Sequence, residues 1–130
     1  MSIETSKVYV LADGVAADGV FVVEKLPESS YKTIMVQVYG KTSPDADIKI
    51  RHTFDTGVDL TAADSETNNW FYNSLSDYAQ AGSILGETGA EIDTEKTYSF
   101  EIDANYYGDM AVEIDNWVAG TFYIKIIGIV

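Results

Sequence analysis

The segments TYSFEID (97–103), MAVEID (110–115) and FYIKII (122–127) decide the fold of this 130-residue chain. In each of them apolar side chains recur at every second position, which is the period of a strand with one buried face. We therefore predict three consecutive β-strands in the last third of the chain. Residues 122–130 are apolar on both faces and are interrupted only by Lys125 and Gly128.

The preceding residues continue the pattern of short strands separated by turn-forming segments. Turns are predicted at two Asp-Gly pairs (13–14 and 18–19), at Pro27 and at the segment GKTSPDA (40–46). Gly accepts positive φ, and Pro has no N–H to donate to the hydrogen bonds between strands. The strands predicted before the last third comprise residues 7–12, 19–25, 31–40, 47–54, 70–72 and 83–85. Seven to nine short strands without an amphipathic helix predict a single domain, 1–130, with an all-β fold: an antiparallel, jelly-roll-like β-sandwich.

Composition excludes several classes of function. The chain has no cysteine, so disulfides, thiol nucleophiles and thiolate metal sites are absent. Of its net charge of -13, residues 1–54 contribute 6 - 7 = -1 and residues 55–130 contribute 2 - 14 = -12. Such acidity predicts no nucleic-acid partner, because phosphate binding draws on clustered Lys and Arg. The N-terminus shows no secretory signal, and the apolar C-terminus is shorter than the roughly 20 residues of a membrane-spanning helix.

The sequence offers little for catalysis. Its single histidine, His52, lies on the apolar face of a predicted strand, where a packed histidine is the more common occupant than a catalyst. No phosphate-binding glycine loop, metallohydrolase histidine pair or nucleophile elbow occurs. We therefore predict a protein that is not an enzyme. A small glycosidase-type hydrolase stays open, since it needs only two carboxylates.

Aromatic residues in or near the predicted turns are candidates for binding. Flat rings on a β-sandwich can stack against sugars, so one reading is a carbohydrate-binding module that recognises a glycan. Large aromatics also fill the ends of sandwiches and cover protein interfaces. The candidates for these roles are Trp70, Tyr72, Tyr78, Tyr106, Tyr107 and Trp117, of which Trp70, Tyr72, Tyr106 and Tyr107 are the predicted interface residues.

Calcium is the one cofactor that the sequence suggests, and no other is predicted. Carboxylates flank the predicted strand 48–54 on both sides, and oxygen ligands of this kind are what Ca²⁺ prefers. The candidate ligands are Asp45, Asp47, Asp55 and Asp59. Because the two pairs lie at opposite ends of a strand, we expect them to be separated.

The chain resembles small structural proteins of tailed bacteriophages, of the capsid-decoration or auxiliary virion type. The similar features are the break at Leu26-Pro27, the strand IMVQV (34–38), the segment NWF (69–71), and the ending formed by residues 98–102, 110–112 and 120–128. The resemblance implies a virion protein that is made in the host cytoplasm, forms a homo-oligomer and contacts virion proteins such as a major capsid protein.

The C-terminal strand supplies the most specific interface prediction. A strand with two apolar faces is an aggregation hazard at a free edge, so it must be central in its sheet or covered. Tyr123 and Ile127 share the face that would otherwise meet water. We predict that this face forms a contact between subunits.

Overall fold

The structure is a computed structural model that describes residues 6–23, 33–77, 83–84, 86–103 and 109–129. Within these ranges the chain forms nine strands and no helix, and thus no helix long and apolar enough to cross a membrane. The strands are β1 (Ser6–Val15), β2 (Gly19–Val23), β3 (Thr33–His52), β4 (Phe71–Asn73), β5 (Leu75–Asp77), β6 (Ser83–Ile84), β7 (Ala90–Ile92), β8 (Thr97–Asp103) and β9 (Met110–Ile129).

Antiparallel pairing joins the nine strands into one sheet. The order is β1-β9-β3-β8-β5-β6, with β2 also paired to β9 and with β4 and β7 paired to β3. The predicted all-β antiparallel fold is confirmed, whereas the jelly-roll form of a sandwich stays a prediction. β3 and β9 are 20 residues each and run side by side, so they form the centre of the sheet.

Both long strands bend at the same place. In β3 the bend contains Thr42 (φ 63°) and Ser43 (φ 52°), and in β9 it contains Asn116 (φ 51°) and Gly120 (φ 97°). The pairing register between the two strands shifts between Lys41 and Asp47. Two predictions are therefore wrong. Residues 40–46, predicted as a turn, form a bend within β3. The segments 110–115 and 122–127, predicted as two strands, both belong to β9.

The bends divide the sheet into two arms whose buried side chains belong to one core. The first arm contains β1, β8, β5, β6 and residues 33–41 and 122–129; the second contains β2, β4, β7 and residues 45–52 and 110–115. Inward side chains from both arms belong to the same apolar cluster, among them Val36, Ile126, Phe100, Ile48 and Val112. The two arms therefore contribute buried side chains to a common core.

The outer faces of the two arms differ. On the second arm, residues 53–70 fold back over the sheet, where Leu60 and Trp70 are buried against Ala111 of β9. On the first arm, the outward residues of β1, β9, β3 and β8 meet at the surface. The first arm therefore presents a broad sheet face, and the second arm presents a loop.

Candidate functional site

Four apolar side chains on neighbouring strands form an exposed strip on the outer face of the first arm. Val8 and Val10 of β1 are 56% and 65% exposed, and Ile129 of β9 is 37% exposed. Ile127 lies directly between Val8 of β1 and Met35 of β3 in the pairing register, and it is half-buried. We call Val8, Val10, Ile127 and Ile129 the outer strip.

The face around the outer strip carries both basic and acidic residues. The strand register places two basic and three acidic residues on this face: Lys41, Lys125, Asp13, Glu101 and Asp103. Lys41 is further held over Tyr123, with its Nζ 5.0 Å from the ring centroid. In a chain of net charge -13, these residues of the face sum to 2 - 3 = -1.

Tyr123 and Ile127, both predicted at the interface, lie on this face of a central strand. Each is half-buried, and β9 is paired on both sides, by β1 and by β3. Their common outward face is confirmed, because Lys125 between them is exposed while Ile124 and Ile126 are fully buried. Their role in a subunit contact stays a prediction.

Trp70 and Tyr72 lie on the outer face of the other arm, which the loop of residues 53–70 covers. Trp70 is 9% exposed, and its indole Nε1 donates to the carbonyl oxygen of Ala62 at 2.9 Å. The two rings pack edge to face, with centroids 5.0 Å apart. Their aromatic surface is thus largely used inside the molecule. Tyr78, Tyr106 and Tyr107 lie outside the described residues.

A buried ion pair lies beneath these two aromatic rings. Arg51 Nε donates to Glu113 Oε1 at 2.7 Å, and Tyr72 donates its hydroxyl to the same oxygen at 2.8 Å. Arg51 also donates to the carbonyl oxygen of Leu60, and its guanidinium lies 4.3 Å from the centroid of the Trp70 ring. Burial and the bond to Glu113 raise the pKa of the Tyr72 hydroxyl. This network fastens the loop to the sheet.

A second ion pair follows on the same face. Lys49 Nζ donates to Asp115 at 2.7 Å. This hydrogen bond lowers the pKa of the Asp115 carboxyl and raises that of the Lys49 ammonium. Lys49 and Arg51 of β3 are therefore each paired with a carboxylate of β9.

An open depression of ≈ 580 Å³ lies where the loop leaves the sheet. It is lined by Thr53, Phe54, Asp55, Asp64, Asn69, Trp70 and Phe71. Phe54 and Phe71 are 61% and 40% exposed, with ring centroids 5.5 Å apart. Sequence reasoning missed both residues. The sequence signal that could have indicated them is the position of Phe54, an aromatic residue directly before the acidic loop that begins at Asp55.

His52 forms the floor beneath the two phenylalanine rings. It is 4% exposed, and its ring centroid lies 5.0 Å from that of Phe54 and 5.3 Å from that of Phe71. Burial lowers the pKa of the imidazole, while the nearby Asp109 carboxylate opposes this effect. The prediction that His52 is a packed residue of the apolar face is confirmed.

The four aspartates proposed as calcium ligands occupy separate positions. Asp47 accepts a bond from Asn116 Nδ2 at 2.9 Å, and Asp45 is exposed at the bend of β3. Asp55 accepts from the backbone N–H of Thr56, and Asp59 accepts from Thr61. In the part of the chain that the structure describes, no three acidic or histidine side chains are close enough to hold a metal ion.

Comparison with known proteins identifies a similar fold and no specific function. No family model and no curated protein matches the chain. Among solved structures, the crystal structure of SPBc2 prophage-derived protein YomS matches 100% of this chain and 97% of its own chain, with a TM-score of 0.64 and 14% sequence identity. At this identity the likeness shows a shared fold.

Proposed function

We propose that this chain is a non-enzymatic structural protein of a tailed-bacteriophage virion, of the capsid-decoration, auxiliary or tail-associated kind. It acts through contacts with copies of itself and with virion proteins such as a major capsid protein. The observation that supports this proposal is the outer strip, an exposed apolar area on a sheet face of low net charge. The fold shared with a prophage-derived protein and the sequence resemblance agree with it.

Charge explains why association uses this face. Two copies that each carry -13 repel each other through most of their surfaces, and net charge of this size keeps proteins apart. The face around the outer strip reduces this cost, because the register places Lys41 and Lys125 beside its acidic residues. The same face offers apolar area whose removal from water favours association by about 25 cal/mol per Å². A self-complementary contact between two such faces is the common form of a homodimer.

The size of the face predicts a reversible contact. Four strands about 4.8 Å apart and seven residues at about 3.3 Å each span an area of about 440 Å². Two packed faces of this size bury about 900 Å² in total, which is at the low end for specific interfaces. We therefore expect self-association that depends on protein concentration in solution and that is strengthened by the many copies on a virion lattice.

Sedimentation velocity over a range of protein concentrations tests this proposal. Ile127→Lys puts a charge at the centre of the outer strip and should abolish the concentration-dependent species while the far-ultraviolet circular dichroism spectrum stays that of a β-protein. The matched control is Val118→Lys, at an apolar residue that is 66% exposed in the bend of β9. It adds the same charge elsewhere and should associate as the unmodified chain does. Equal association of both variants would contradict the proposal.

A further inference from the structure

Strand β2 ends the sheet on the second arm. In the part of the chain that the structure describes, β2 pairs on one side, with β9, from Gly19 to Val23. An edge strand of this kind directs the N–H and C=O groups of every second residue away from the sheet. Val22 of this strand is 38% exposed, so the strand reaches the surface.

The sequence of β2 lacks the features that normally protect an edge. Its five residues, GVFVV, contain no charge and no proline, and they pair with β9 without a shift of register. Natural proteins protect exposed edges with charged side chains, prolines, β-bulges or very short strands. An edge without these features is a template on which another chain can add a strand.

The other described strands that end the sheet are protected in these ways. The register of β1 with β9 shifts at two places, after Val10 and after Asp13. β4, β6 and β7 are three residues long or shorter. Bulges and short length both disfavour the addition of a further strand. Among these described end strands, β2 is therefore the one best suited to accept another.

Apolar side chains line β2 on both faces of the sheet. On the outer face, Val20 packs against the apolar cluster that contains Leu60, and Val22 follows two residues later on the same face. On the inner face, Phe21 packs against the main core, to which Val23 belongs. A strand added to β2 therefore finds apolar neighbours for its side chains on both faces.

Exposed carboxylates lie next to both ends of β2. Asp18 directly precedes Gly19, and Asp109 directly precedes Met110, which is the partner of Val23 in β9. Lys or Arg at the ends of an added strand would be attracted to these carboxylates. A second copy of this chain, with a net charge of -13, would instead be repelled at this edge. The charges therefore favour a basic partner.

We propose that β2 binds an extended segment of a partner protein, which adds to the sheet as a further strand. The segment has uncharged β-branched or aromatic residues in its middle and Lys or Arg at its ends. Main-chain hydrogen bonds supply the affinity, and alternate side chains supply the selectivity. This contact lies on the second arm, away from the outer strip. Its failure would therefore leave the proposed contact between copies standing.

An NMR titration of the full chain with the peptide acetyl-KTVTVTVK-amide, at constant ionic strength, tests the proposal. A short peptide that must become ordered should bind with a dissociation constant of about 1 mM. We expect saturable shifts in the amides of residues 19–23. Hydrogen exchange at every second one of these amides should slow by about tenfold at a peptide concentration of about ten times the dissociation constant.

A second peptide has the same charge but cannot form the ladder. In this control the two central residues, Thr-Val, are replaced by Pro-Pro. Neighbouring residues of a strand direct their N–H groups to opposite sides, so one of the two prolines always removes a donor that faces β2. The control peptide should bind at least about tenfold more weakly.

Substitutions on the chain separate strand addition from general attraction of a basic peptide. Val22→Lys places a charge on the edge strand and should weaken binding of the first peptide by about five- to tenfold. Val22→Thr keeps an uncharged β-branched side chain and should bind within about twofold of the unmodified chain. Val118→Lys adds the same charge at a residue that is 66% exposed in the bend of β9, and it should leave binding unchanged.

Three outcomes would overturn the proposal. The first is strong protection of all the amides of residues 19–23 in the free chain, which would show that the edge is already covered. The second is equal binding of the two peptides, or equal weakening by Val22→Lys and Val118→Lys, which would indicate unspecific charge attraction. The third is loss of self-association in Val22→Lys without any binding of the peptide, which would assign the edge to a second copy of this chain.

Discussion

Removal of Glu113 should destabilise the protein more than the loss of one hydrogen bond would. Glu113 is 7% exposed, and its Oε1 accepts from both Arg51 and Tyr72. In Glu113→Ala, the guanidinium of Arg51 loses its bonded carboxylate and keeps its contacts with the carbonyl oxygens of Leu60 and Ala62 and with the Trp70 ring. Breaking a buried ion pair by deleting one partner costs about 3–5 kcal/mol, because an uncompensated charge is left behind.

The side chains of Arg51 and Glu113 are 12% and 9% exposed, so the pair is buried deeply enough for the cost of an unpaired charge to apply. One kcal/mol shifts the melting temperature by about 3–5 °C in a domain of this size. Glu113→Ala should therefore lower the melting temperature by about 10–20 °C in circular dichroism scans. The loop of residues 53–70 should become more accessible to proteases, because Arg51 no longer fixes the carbonyl oxygen of Leu60 in place.

A double variant tests the physical reason. Arg51→Met combined with Glu113→Leu removes both charges and leaves apolar groups of similar volume, so it should recover most of the lost stability. If Glu113→Ala shifts the melting temperature by less than about 3 °C, the pair is solvated and the reasoning fails. If the double variant is as unstable as Glu113→Ala, the loss reflects packing instead of an unpaired charge.

Three further predictions concern pH, the bend and ions. In the folded state the pKa of His52 lies below its ordinary value of 6.5, so the unfolded state takes up the proton first. The free energy of unfolding should therefore fall as the pH drops below about 6.5. Urea titrations across pH should show this fall in the unmodified chain and not in His52→Gln. Gly120→Ala should cost at least about 2 kcal/mol in the same assay, since φ is 97° and a Cβ would lie 2.6 Å from Pro44 Cα. Salt should raise the melting temperature by screening the net charge of -13, and calcium chloride should raise it no more than sodium chloride at equal ionic strength; a larger rise would identify a specific calcium site.

The sequence predicted the buried face of each long strand but not their continuity. Alternation correctly assigned Phe122, Ile124 and Ile126 to the core, where all three are fully buried. The segment 40–46 was predicted as a turn because Gly, Ser and Pro favour positive or restricted φ. A bend within a strand needs the same residues. What makes this segment a bend and not a turn is the neighbouring strand, because Gly120 of β9 lies against Pro44 and bends at the same point. The two residues are far apart in the sequence, so residues 40–46 alone carry no signal of this contact.

The candidate sites were predictable to different degrees. Tyr123 and Ile127 followed from the period of one strand. Val8 and Val10 join them only through the pairing of β1 with β9, whose register shifts after Val10, and a single sequence does not encode that register. Trp70 begins the predicted strand 70–72, but three residues are too few to show which side chain is buried. Its burial comes from contacts with Leu60, Ala62 and Arg51, which the local pattern does not indicate.

The contact between outer strips is tested most directly by the accessibility of a single thiol. Because the chain contains no cysteine, Val10→Cys provides a unique probe in the strip, and Val118→Cys provides one outside it. The rate at which a maleimide alkylates each thiol is measured as protein concentration is raised through the range where sedimentation detects association. We predict that alkylation at position 10 slows as the protein associates, while alkylation at position 118 keeps a constant rate. A constant rate at position 10 in a sample that does associate would contradict the assignment of this face as the contact between subunits.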